Sequence, residues 1–330
     1  MSQAQQNLVG EMMIYGAGGG GINIASMCQE YTASAPGTSE VRLAYIDTSR
    51  SNIPDGARPE QCYLLENLDG SGKVRKENHE KIADEINRIL LEFKPGDINI
   101  VAFTASGGTG SVAGPLLVAE LLKRGKLVVT VVVGSDESAI TADNTFKTLK
   151  SLDHIARSQE KPVVMFYNKN SRNMSRVEVD KRSRFTICAL SFLASRQNKE
   201  LDSMDVFNFL NYNRVPGSDL QPQLTLLNVF DSAAEVDRIG ADTFSMAMLL
   251  KGHEEEQPEI VPVYSAAGYY RENTEAPCNL FFCLETKGLN PILSELQKTA
   301  ATIVEHKQAR ASGPSFVSDS DHVSSTGLIL

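Results

Sequence analysis

Two short glycine-rich turns, each entered from an apolar run and left through a helix-forming one, restrict this chain more than any other feature. The first is GAGGGGINIA at residues 16–25, and the second is SGGTGS at 106–111 inside IVAFTASGGTGSVAGPLLVAELLKRG. Glycine lets the backbone turn sharply and approach other groups closely. A strand, a tight turn and a helix in repetition is how a mostly parallel sheet covered by helices reads in sequence. The runs VRLAYID, KLVVTVVVG and KPVVMFYN continue that alternation. Between strands, ENHEKIADEINRILLEFK sets Ile82, Ile86, Ile89, Leu90 and Phe93 on one helical face, and Pro95-Gly96 stops it.

The second half reads differently. VEVDKRSRFTICALSFLAS, residues 177–195, is a long helix, polar at its start and apolar around much of its later half, as for an element packed on two sides. LTLLNVF, EIVPVYSAAGYY and NLFFCLE are read as strands of a second, smaller sheet, with DTFSMAMLLKG as a helix among them. NPILSELQKTAATIVEHKQAR restores helical spacing, and the last twenty residues show no period and form a tail.

Composition narrows the function. Of 330 residues, 41 are acidic and 32 basic, so the net charge of −9 disfavours a phosphate backbone as partner, and no direct nucleic-acid binding is expected. Five cysteines without a CxxC pair and five scattered histidines give no structural zinc pattern and point to a reduced compartment. The apolar runs are far short of spanning length, so a cytoplasmic protein without a membrane partner is expected.

Gly16, Gly18 and Gly21 fit G-x-G-x-x-G after a strand, with Asp47 at the end of the next strand where a ribose-binding carboxylate sits in dinucleotide folds. Such a turn aims amide N–H groups at a phosphate and adds the positive end of a helix; a turn that binds nothing is the plain alternative. SGGTGS repeats the arrangement, with the Thr109 and Ser111 hydroxyls beside Gly107, Gly108 and Gly110. Two anion nests on one sheet edge imply a polyphosphate gripped from both sides. In LDGSGKVRKEN, Gly70, Ser71 and Gly72 form either an accessory phosphate loop or an ordinary turn.

At this point the chain resembles the tubulin/FtsZ family. GAGGGGINIA is similar to the first phosphate loop of that family, bringing in Ala17, Gly19, Gly20 and Asn23, and SGGTGS is similar to its GGGTG(S/T)G signature, with Ser106 for the first glycine and Val112 for the last. The resemblance implies an α/β fold: a Rossmann-like parallel-sheet GTPase domain at residues 1–176, a central helix at 177–196, a smaller α/β activation domain at 197–290, and a helix with its tail at 291–330. It implies GTP/GDP and Mg²⁺ as cofactors. It puts Asp47 near the nucleotide, Glu137 or Asn144 near the ribose, with surface-loop duty the alternative for each, and Asn168 and Asp180 at the guanine base; for Asp180, an acid favoured by the helix dipole is the alternative.

NKELDSMDVFNFL spaces Asp202 and Asp205 so that they share one helical face. Alone, that spacing is also an N-cap with a first-turn acid. By resemblance the pair is catalytic: it enters the nucleotide pocket of the next subunit and, with Mg²⁺, orients the attacking water. A head-to-tail filament follows. The tail, with Asp319 and Asp321 before an apolar end, resembles those of large-bacteriophage tubulins, the PhuZ group. That branch implies tail contacts with neighbouring subunits, and phage DNA, its compartment or a capsid as cargo in the cytoplasm of an infected bacterium. A Rossmann-type NAD(P)-dependent oxidoreductase using Gly16, Gly18, Gly21 and Asp47 is the alternative; it leaves SGGTGS unexplained. A nucleotide-binding scaffold that assembles without hydrolysis is a third reading.

Overall fold

The computed structural model describes residues 9–29, 36–65, 75, 79–171, 174–272, 274 and 278–311. Their centre is a ten-stranded sheet in the order β3-β2-β1-β4-β5-β6-β7-β10-β8-β9. Its strands are β1 (Glu11–Ala17), β2 (Glu40–Asp47), β3 (Cys62–Leu64), β4 (Ile98–Thr104), β5 (Leu127–Ser135), β6 (Val163–Asn170), β7 (Leu224–Phe230), β8 (Ser245–Leu250), β9 (Tyr264–Tyr269) and β10 (Leu280–Glu285). The first seven run parallel, and β10 alone opposes its neighbours β7 and β8.

The helices are α1 (Gly18–Ser26), α2 (His79–Glu92), α3 (Gly110–Lys123), α4 (Ala139–Gln159), α5 (Arg176–Leu193), α6 (Ser203–Leu210), α7 (Ala233–Ile239) and α8 (Leu289–Ala311). Alternate residues of β1 enter opposite cores, as a pleated strand requires. Met12 and Ile14 join Ile22 of α1, Ile187 and Leu190 of α5 and Phe209 of α6. Met13 and Tyr15 join Ile86 of α2, Leu117 of α3, Leu149 of α4 and Leu296 of α8. Burial of β1 on both faces explains its continuous apolar run.

Three expectations change. The strands after α5 do not make a second sheet: β7 pairs in parallel with β6 through Val163↔Leu224, Val164↔Thr225 and Met165↔Leu226, so one sheet runs through the molecule. DTFSMAMLLKG contributes strand β8 rather than a helix, because Ser245–Leu250 is buried at every position between β10 and β9. Its helix-favouring Met, Ala and Leu side chains yield to that packing. Of EIVPVYSAAGYY, only Tyr264–Tyr269 pairs, while Val261 is 94% exposed.

Candidate nucleotide site

Strand order reverses around β1, whose neighbours are β2 and β4, and in open parallel sheets the crevice at the strand ends there is where ligands bind. Both glycine turns lie at this point: one leads from β1 into α1, the other from β4 into α3. They touch. Gly18 has φ +70°, and a Cβ on it would sit 2.7 Å from the Gly110 nitrogen; one on Gly110 would meet the Ala17 carbonyl oxygen at 2.7 Å. Gly20 and Gly21 pack on β4, where a Cβ would come within 2.2 Å of Thr104 Cγ2 and 2.1 Å of the Ala102 carbonyl oxygen respectively. The glycines thus set the spacing of two backbone turns. Gly16 closes on the backbone of Gly21, and Gly19 faces the Asn52 side chain.

Neighbouring elements brace these turns. The Thr48 and Thr109 hydroxyls are 2.7 Å apart, joining the loop after β2 to the second turn. Asn144 Nδ2 donates to the Ser106 carbonyl at 3.2 Å, the Thr148 hydroxyl donates to that of Ala105 at 3.0 Å, and the Ser111 hydroxyl bonds back to Gly108. Pro115 has no N–H for the Ser111 carbonyl four residues earlier. Arg75 donates its guanidinium to that carbonyl at 3.2 Å. Sequence reading missed Arg75; a proline in the second turn of a helix was the available signal.

The remaining candidates fall into place unevenly. Buried Asp47 directs Oδ1 to the Thr48 and Ser49 amides and Oδ2 to Asn52 Nδ2 at 2.7 Å, so its carboxylate stabilises its own loop. That removes the free ribose acceptor required by the oxidoreductase alternative. Asn23 Nδ2 donates to Asp180 Oδ2 at 2.7 Å across 157 residues of sequence. Burial raises the Asp180 carboxyl above its usual range, and the Asn23 hydrogen bond and Arg176 partly offset this. Asn168, near the end of β6, has its Nδ2 buried without a hydrogen-bond partner, a donor left over for a ligand. Glu137 takes the Ser135 hydroxyl at 3.3 Å and Arg176 at 3.4 Å. Gly70, Ser71 and Gly72 lie outside the described residues.

Asp202 and Asp205 are elsewhere. They start α6 as a reciprocal cap: Asp202 Oδ1 accepts from the Met204 and Asp205 amides at 2.7 and 3.1 Å, and Asp205 Oδ2 accepts from the Asp202 amide at 2.9 Å. Asp202 lines a small cleft with Asp97, Ile98, Leu127 and Arg196, at the beginnings of β4 and β5. The second glycine turn is at the other end of β4. Seven residues of strand, about 20 Å, therefore separate acids from glycines within one molecule. Among the described residues, no three His, Cys, Asp or Glu side chains form a metal cluster.

Crowded glycine turns at one end of a parallel sheet, an open donor at Asn168 and a carboxylate at Asp180 are the arrangement expected of an α/β protein that binds a nucleotide. Residues 11–175 match the Tubulin/FtsZ family, GTPase domain, and the chain belongs to that family. It is 33% identical over 197 residues to a phage tubulin-like protein of Pseudomonas phage PhiPA3, covering 60% of this chain and 62% of that protein. It is 25% identical over 329 residues to a phage tubulin-like protein of Pseudomonas phage phiKZ, covering 96% and 97%. A protofilament of TubZ from bacteriophage PhiKZ superimposes with a TM-score of 0.83 at 26% identity, over 97% of this chain and 99% of that one. The phage tubulin PhuZ bound to GDP gives a TM-score of 0.86 at 22% identity, with the same coverage, a likeness of fold.

Proposed function

We propose that this chain is a phage-type tubulin that binds GTP at the glycine turns, assembles head-to-tail and hydrolyses GTP where one subunit's Asp202 and Asp205 meet the next subunit's nucleotide. The observation carrying this reading is the separation just described. Cradle and acids occupy opposite edges of one sheet, and a translated second copy brings the acid edge of one molecule onto the cradle edge of another. Such a contact is heterologous and propagates. A protofilament of a 26% identical relative supports it.

In this mechanism the amides of the Gly16–Gly21 and Gly107–Ser111 turns hold the phosphates, with the N-termini of α1 and α3 adding favourable charge. Asn168 and Asp180 take the base, a carboxylate accepting from guanine N1 and N2 where an adenine offers no matching donors. Asp202 orients the water in line with the γ-phosphate, and its Oδ2 is the oxygen of the pair that neither the cap nor Tyr264 engages. Mg²⁺, when bound, neutralises phosphate charge, and it would draw most of its ligands from phosphate oxygens and water. Binding falls to residues 1–176 together with Asp180 of the helix at 177–196, and activation to residues 197–290 beyond that helix.

The tail bearing Asp319 and Asp321 lies outside the described residues. On this acidic protein, a groove between α2, α3 and α4 carries Arg75, Lys147 and Lys150 beside one carboxylate, Glu80. That charge suits an acidic tail from a neighbouring subunit. The setting proposed is the cytoplasm of an infected bacterium, with phage DNA, its compartment or a capsid as cargo.

Phosphate release and light scattering, followed together over protein concentration, test the reading. The rate per molecule should be near zero at high dilution and rise steeply with scattering. A constant rate per molecule would refute the shared site, and scattering without phosphate release would leave a passive scaffold.

A further inference from the structure

The acid-bearing segment is gripped at two points by one edge strand. β9 is the outermost strand and pairs with β8. At its far end, Tyr269 and Lys199 exchange backbone hydrogen bonds of 2.8 and 2.9 Å. Gly268 lets the segment lie close, since a Cβ there would come within 2.3 Å of the Leu201 side chain and 2.9 Å of the Lys199 carbonyl oxygen. At the near end, the Tyr264 hydroxyl donates to Asp205 Oδ1 at 3.1 Å. Residues 199 to 205, the last three of them the first turn of α6, thus run beside the strand between Tyr269 and Tyr264.

The consequence for Asp205 is geometric. Its Oδ2 accepts the Asp202 amide, and its Oδ1 accepts Tyr264. Two bonds from different directions fix the plane of a carboxylate, whereas one leaves it free to swing about χ2, a broad torsion for Asp. A hydrogen bond to an ionised acceptor is also stronger than a neutral one. We propose that Tyr264 is a positioning residue for GTP hydrolysis, its hydroxyl fixing Asp205 and, through the reciprocal cap, the open Asp202 Oδ2 that is presented to the neighbouring subunit's nucleotide. This rests on the reading above that the acids act across the subunit contact. Burial, followed by the charge of Asp205, pushes the Tyr264 phenol up to about 12, so it remains a donor at neutral and moderately alkaline pH.

Tyr264→Phe removes the hydroxyl and keeps the ring. The expected result is a fall of about tenfold in phosphate release per assembled subunit, in line with misorientation of a catalytic group. GTP affinity, and the critical concentration for assembly with a slowly hydrolysed GTP analogue, should stay within about twofold, because the ring still packs. Circular dichroism checks the fold. Unchanged turnover would overturn the proposal, as would a rise in the analogue's critical concentration that matches the loss of turnover, the mark of a merely structural contact. Asp202→Ala and Asp205→Ala run in parallel separate the two levels. If they abolish turnover and Tyr264→Phe does not, the positioning role alone fails; if they too leave turnover unchanged, the shared-site reading fails.

Discussion

The two edges of the sheet are built by different means. Where the parallel strands end, backbone packs on backbone, with Gly18 against Gly110 and Gly21 against Ala102, and little besides glycine fits. Where they begin, side chains add most of the ties on the acid segment beyond its one backbone pair with Tyr269: Arg196 to Asp97 at 2.6 Å, Asn198 Nδ2 to the Phe192 carbonyl at 2.9 Å, Arg271 Nε to the Gln197 carbonyl at 2.6 Å. Arg196 and Glu200 are left-handed there, each with φ 60°, without being glycine. Such residues cost about 1 kcal/mol or more and persist where the surroundings over-determine them. A preformed cradle at one edge therefore faces a strained, clipped segment at the other. A change at the first edge should remove binding, and a change at the second should alter turnover while binding survives.

The largest expected effect tests the cradle. Gly18→Ala adds a Cβ to a left-handed residue against the Gly110 nitrogen, and GTP affinity should fall about 100-fold or more, equal to roughly 3 kcal/mol. Titration with a fluorescent GTP analogue measures this, and near-normal affinity would break the contrast between the edges.

Next is Asp202→Ala. Phosphate release should drop by about 100-fold, the scale of a lost general base or water-orienting group, while GTP titration stays unchanged. The lost cap should also lower stability by about 1 kcal/mol, visible in thermal melts.

A smaller effect sharpens the account of the acid segment. Arg196→Ala loses the Asp97 pair and keeps an unfavourable left-handed residue; Arg196→Gly loses the pair and relieves the backbone. The glycine variant should be the more stable of the two by about 1 kcal/mol in denaturant unfolding. Equal stability would mean that the segment carries no backbone strain.

The smallest concerns Asp180. Burial raises its carboxyl in the folded protein, so folding favours the protonated form, and the stabilisation present at acid pH is lost as pH rises through the raised value. Asp180→Asn should therefore raise the melting temperature of the nucleotide-free protein by about 1 °C at pH 7 to 8, with the difference closing toward pH 4. The same variant should bind GTP more weakly. A substitution that stabilises the fold while weakening the ligand marks a carboxylate kept for binding rather than for folding.

Much of the fold was legible because its signals are local. The apolar runs of β1, β4 and β5, the amphipathic α2 and the glycine turns all lie within windows of about a dozen residues. β8 was misread because a strand buried on both faces shows no alternation and Ser245–Leu250 is rich in helix formers. The continuity of the sheet hid in three residue pairs between β6 and β7, some sixty positions apart. In the site, the turns and the acid spacing could be read directly, whereas the Asn23–Asp180 bond and the Arg75 brace join segments that share no local pattern.

By itself, the sequence determined where backbone must come close, since glycine's missing side chain is a property of each position taken alone. Only the tertiary structure decided that the acids stand about 20 Å from the glycines, and that Asp47 serves its own loop. Both follow from strand direction and chain crossing, which are relations between distant segments. No window along the chain contains them.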